Sequence, residues 1–92
     1  MARDRNPDDL KTIGARLRAA RLALGLAQKD LYEPLGVKAA TWNHWESGKR
    51  LPDPLVMVRL KEAHGITMDW IYAGDASALP FSLARVVLRA VS

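Results

Sequence analysis

The sequence predicts an all-α fold, a bundle of five helices followed by a sixth at the C-terminus. Three observations predict it. Apolar residues recur at spacings of three and four, the period of a helix face, in several stretches. Glycine follows these stretches at Gly25, Gly36, Gly48, Gly65 and Gly74, where helix terminators belong. β-Branched residues form no alternating runs, so no strand pattern competes.

Each element has its own signals. Asn6 can cap a first helix, with Pro7 at its first position and Asp8 and Asp9 at the positive dipole end. Leu10, Ile13, Leu17, Ala20 and Leu24 give that helix one apolar face, and Gly25 ends it. A second helix is expected over 28–35, with Gly36 making a tight turn at φ > 0. A third is expected over 38–47, stopping at Gly48. Leu51-Pro52-Asp53-Pro54 is a loop and a new start, with Asp53 as cap and Pro54 at the first helical position. The fourth helix carries Val56, Leu60 and Ala63 on one face and ends at Gly65. Thr67 can cap a short fifth helix over 68–73, closed by Gly74. After a polar connector at 75–80, Leu83, Val87 and Val91 mark the last helix, with Val86 nearby.

The 92 residues suit one domain, with only a modest core. No cysteine is present, so disulfides and thiolate metal sites are excluded, and a reducing cytoplasm is the expected setting. The N-terminal residues lack a signal-peptide apolar stretch. No segment approaches the roughly 20 apolar residues that span a bilayer. Residues 1–50 hold ten Lys/Arg against six Asp/Glu, whereas residues 51–92 hold four of each. The whole excess of positive charge lies in one half, either as a solubilising surface or as a seat for a polyanion. That half also contains the two short helices joined at Gly36, an arrangement that can place its second helix in the major groove of DNA.

Several fixed spacings in this region agree at once. They are Leu24-Gly25-Leu26-Ala27-Gln28, Leu31, Leu35-Gly36-Val37, Trp45-Glu46-Ser47-Gly48-Lys49, Pro52 and Thr67-Met68-Asp69-Trp70-Ile71. With these the chain resembles the Cro and lambda-repressor family of helix-turn-helix DNA-binding domains, over roughly residues 10–75. Asp69-Trp70-Ile71 followed by Tyr72-Ala73-Gly74-Asp75 resembles a bacterial or phage branch. The resemblance implies an N-terminal arm over 1–7, a DNA-binding domain over 8–75, and a connector with C-terminal helix over 76–92.

It also implies roles. Gln28 matches a glutamine that binds a phosphate at the start of helix two. Ala39, Ala40 and His44 match positions that face base edges, with Asn43 beside them. Ser47, Lys49 and Arg50 match the phosphate-contacting end of helix three and the loop after it, and Lys38 joins them at the other end. Arg21 and Glu46 match a buried ion pair joining helices one and three.

Four positions depart from the family pattern. Ala27 stands where a capping Thr, Ser or Asn is usual, which removes a cap contributing about 1 kcal/mol. Tyr32 replaces a small residue between the motif helices. Pro34 removes a backbone donor in the last turn of helix two and is expected to shorten or kink it. Trp42 takes a place usually held by Ile or Val. Ala39 and Ala40 carry no hydrogen-bonding groups, which leaves Asn43 and His44 as the polar base readers. Modest direct readout, helped by DNA shape, is therefore expected.

Other residues have two readings. Trp42 and Trp70 fall on apolar faces and are expected in the core. Trp45 either packs under the loop or reaches a sugar or phosphate. Arg3 and Arg5 belong to a solvated tail or to an arm in the minor groove. Arg16 and Arg18 fit a charged outer face. His64 suits the C-terminal end of helix four. The two histidines stand 20 residues apart with no cysteine or clustered carboxylate beside them, so no metal site is expected, and no histidine–carboxylate pair is placed to activate Ser47, so neither enzyme chemistry nor a cofactor is expected. The last helix either forms a dimer seam or folds back on its own domain.

The expected function is a sequence-specific, double-stranded DNA-binding transcriptional regulator acting as a homodimer, without membrane or small-molecule partner. The alternative is a protein-interaction module or antitoxin that kept the fold while losing groove readout.

Overall fold

The computed structural model describes residues 7–91, so Asn6 and the arm with Arg3 and Arg5 lie outside it. Six helices follow one another: α1 (Pro7–Ala23), α2 (Gln28–Tyr32), α3 (Ala39–Glu46), α4 (Pro54–His64), α5 (Asp69–Ala73) and α6 (Phe81–Val91). Strands are absent among the described residues.

The long α1 is the axis of the bundle, and α3, α5 and α6 all pack against it. Its periodic face delivers Leu17 and Ala20 to the centre, where they meet Leu31, Trp42, Leu60, Trp70 and Val87. Trp42 and Trp70 are fully buried, as their positions on apolar faces predict, and Trp45 is buried at 4 % exposure. The Trp42 and Trp45 rings are tilted, with centroids 5.5 Å apart. The Trp70 indole donates to the Arg16 carbonyl at 3.0 Å and stitches α5 to α1.

Element boundaries differ from expectation where special residues act. Helix α2 ends at Tyr32, not Leu35: the Glu33 N–H still bonds the Lys29 carbonyl at 3.2 Å, but Pro34 has no N–H to continue the series. The chain still turns to Gly36, where the Gly36 N–H bonds the Glu33 carbonyl and the Val37 N–H bonds the Tyr32 carbonyl. This paired closure needs a left-handed residue, and Gly36 has φ 70°. In α4 the inward residues are Met57 and Leu60; Ala63 is exposed, a correction to the expected face. Asp53 caps α4 by accepting the Leu55 N–H at 2.9 Å. The short α5 is wound wide, with the Gly74 N–H reaching the Asp69 and Trp70 carbonyls, and Thr67 Oγ1 accepts the Trp70 N–H at 3.2 Å.

The last helix folds back on its own domain. Leu79, Leu83 and Val87 are buried against the bundle, while Phe81, Val86 and Leu88 stay exposed. Val86 therefore faces solvent and does not join the buried row.

Tyr72 ties α5 to the loop before α4, its hydroxyl donating to the Pro52 carbonyl at 2.8 Å. Burial, with the Asp53 carboxylate adding to it, pushes the phenol from its ordinary 10.0 up to about 12. The fold favours the neutral form. Its contribution is therefore complete below the ordinary value and is lost as pH rises through the raised one. A phenolate absorbance titration is expected to show one tyrosine ionising at about 12, a step that Tyr72→Phe removes. Ionisation of Tyr72 at the ordinary value would contradict this environment.

Candidate nucleic-acid interface

The outward face of α3 is built by helical spacing. Trp42, Trp45 and Glu46 point inward, so Ala39, Ala40, Asn43 and Ser47 stand exposed on the opposite side, with His44 half-buried at its edge. The helix is one residue shorter at each end than expected. Lys38 is its N-cap and Ser47 its C-cap, neither capping through a side chain to the helix amides. Beyond Ser47 the chain doubles back, and the N–H groups of Lys49 and Arg50 both bond the His44 carbonyl, at 2.9 and 3.2 Å. Lys38 at one end and Lys49 and Arg50 at the other are exposed. A short face of small and polar side chains thus lies between cations.

Two close approaches set this helix against α1. A Cβ built on Gly14 would lie 2.4 Å from the Trp45 carbonyl oxygen and 2.7 Å from that of Glu46, so α1 touches the backbone of α3 directly. A Cβ on Gly48, at φ +79°, would lie 2.7 Å from the Lys11 Cα. The loop after α3 therefore rests on the N-terminal part of α1, and exposed Lys11 joins Lys49 and Arg50 in one basic margin. Neither Gly14 nor Lys11 was singled out by the sequence. The available signal was a glycine inside an otherwise regular helical pattern, which often marks close packing.

The buried centre of the interface is Glu46. Arg21 donates through Nε to Glu46 Oε2 at 2.8 Å and through Nη2 to Oε1 at 3.0 Å, a two-pronged pair. Arg21 Nη1 also holds the Leu26 carbonyl at 2.8 Å, fixing the chain that leads into α2. The Trp42 indole N–H donates to Glu46 Oε2 at 2.7 Å. Gln28 Nε2 donates to Glu46 Oε1 at 3.1 Å. Arg21 and Glu46 are each 8 % exposed, and among the described residues no buried side-chain N or O lacks a partner.

Gln28, expected from the resemblance to bind a phosphate, has its side chain on Glu46 in this structure. One amide N–H is committed to Glu46, because the N-terminus of α2 lies directly over the inner end of α3. Ala27 supplies no side-chain cap, as expected, but Asp30 Oδ2 accepts the Ala27 N–H at 2.9 Å. Half of a reciprocal cap is therefore kept. Tyr32 is half-buried against the core, where the departure from a small residue is absorbed. Ser47 Oγ lies 3.4 Å from the His44 carbonyl, a long contact that leaves it available to solvent.

No group of His, Cys, Asp or Glu among the described residues could hold a metal ion, and no described helix is long and apolar enough to cross a membrane. A family model described as a helix-turn-helix domain matches residues 12–69, from the first turns of α1 to the start of α5. Helix α6 lies outside the match. No curated protein and no solved structure matches the chain.

Proposed function

The chain belongs to the helix-turn-helix domain family, of the Cro-like kind, and on that premise we propose that it is a sequence-specific, double-stranded DNA-binding transcriptional regulator. The observation that carries this reading is the exposed face of α3, bounded at both ends by lysine and arginine. Helix α3 enters the major groove. Asn43 and His44 reach base edges, while Ala39 and Ala40 allow close approach and touch thymine methyls. Lys38, Ser47, Lys49, Arg50 and Gln28 grip phosphates, with Lys11 extending the basic margin. Phosphate contacts set register and orientation, and base contacts set sequence. A homodimer is part of this reading, because one small module buries only about 600–1,000 Å² on DNA. The protein acts in the cytoplasm, on the nucleic acid of its own cell or of a phage.

Selection from a random duplex pool at about 150 mM salt tests this reading. Enrichment of a two-fold symmetric site, with half-sites about 34 Å apart or a multiple of that, is the expected result. Absence of any enriched sequence would favour the protein-interaction module. Lys49→Ala is expected to weaken binding to all duplexes alike. It should also flatten a log–log salt slope of about −5, the value for roughly six phosphates neutralised by a dimer. An unchanged slope would remove Lys49 from the phosphate contacts.

A further inference from the structure

Glu46 holds more donors than its pairing with Arg21 requires. Its two oxygens receive four N–H groups from three residues: Arg21 twice, Trp42 and Gln28. A carboxylate offers about four lone-pair sites, so the group is saturated. The donors are not equivalent. Trp42 is fully buried, and its single polar atom makes the shortest of these bonds, 2.7 Å to Oε2. Gln28 is half-buried at the edge of the network, makes the longest bond, 3.1 Å to Oε1, and carries a second amide N–H. If the Gln28 amide turns away, Oε1 keeps Arg21 Nη2 and Oε2 keeps both Arg21 Nε and Trp42 Nε1. Without the indole, the same rotation leaves Arg21 alone to satisfy a buried carboxylate.

We propose that Trp42 is a positioning residue that makes Gln28 releasable: its indole N–H keeps Glu46 satisfied, so the Gln28 amide can pass from Glu46 to an anionic ligand while α3 stays fixed to α1. The identity of that ligand as a duplex phosphate rests on the DNA-binding reading above. An aliphatic side chain at position 42 would supply no donor. Trp42 therefore couples a buried residue, Glu46, to a half-buried one, Gln28.

The test is a pair of double-mutant cycles on the full chain, using Gln28→Ala and Trp42→Phe. In the first, unfolding is followed without DNA. Gln28→Ala is expected to lower the folding constant less than about threefold in the wild type, and about tenfold or more in Trp42→Phe, where Glu46 has come to depend on it. An equal factor in both backgrounds overturns the proposal. In the second, affinity for a mixed-sequence duplex is measured at fixed salt. Gln28→Ala is expected to weaken binding about fivefold in the wild type but less than twofold in Trp42→Phe, where the amide stays on Glu46. Equal losses in both backgrounds overturn the release of Gln28. A wild type that binds no duplex, with the first cycle as expected, sinks the DNA reading and leaves the coupling at Glu46 standing. Should Trp42→Phe fail to fold, a benzothiophene analogue of tryptophan at position 42 keeps the bicyclic shape, deletes the N–H and runs the same cycles.

Discussion

Glu46→Ala is expected to destabilise the protein by about 3–5 kcal/mol, because it leaves the Arg21 guanidinium buried without its partner. The effect exceeds that of an ordinary ion pair. Arg21, Trp42 and Gln28 all aim donors at this one carboxylate, and Arg21 and Trp42 are buried at 8 % and 0 % exposure. Deleting the acceptor orphans them together, and an unsatisfied buried donor costs about 1–3 kcal/mol. For a domain with a total stability of about 5–15 kcal/mol, this is a large share. Thermal unfolding should move down by roughly 12–40 °C, at about 4–8 °C per kcal/mol for a chain of this length. Glu46→Gln is the informative companion. It keeps the shape but turns an amide N–H₂ toward one set of donors, so it should recover only part of the loss. A Glu46→Ala protein that unfolds at the wild-type midpoint would show that the network adds nothing net to the fold.

Gly14→Ala is the second large effect, expected at about 2–3 kcal/mol of destabilisation by chemical denaturation. Helix propensity alone predicts the opposite sign, since alanine is favoured over glycine in a helix interior by about 1 kcal/mol. Contact decides otherwise. The new methyl would sit 2.4 and 2.7 Å from two carbonyl oxygens at the end of α3, and backbone atoms cannot step aside as a flexible side chain can. Relief requires α1 and α3 to separate, which also stretches the Arg21–Glu46 pair that joins them. On the DNA-binding reading proposed above, sequence discrimination should therefore fall further than non-specific affinity. A Gly14→Ala protein more stable than the wild type would mean that the two helices can separate without penalty.

Much of the architecture was legible in the sequence because it is written in local spacing. The apolar face of α1, the proline and aspartate that start α4, and the glycines that close each helix all act within a few residues of themselves. Resemblance added what spacing alone does not carry, namely that Arg21 and Glu46, far apart in the chain, are partners. Departures were half legible. Pro34 ends the regular bonding of α2 for the reason its ring supplies, but the compensating bond from Asp30 to the Ala27 N–H required the actual backbone path.

By itself the sequence determined the number and order of the helices, the turn at Gly36, and the burial of Trp42 and Trp70. Each of these follows from periodicity or from one residue's conformational preference, which operate before any helix meets another. Tertiary structure alone decided that Gln28 lies on Glu46, that Gly14 and Gly48 are contact points on α1, that Lys11 borders the α3 loop, and that α6 packs on α1. These depend on the angle and distance between helices. A shift of about one ångström there separates a hydrogen bond from a gap, and no spacing within a single helix encodes it.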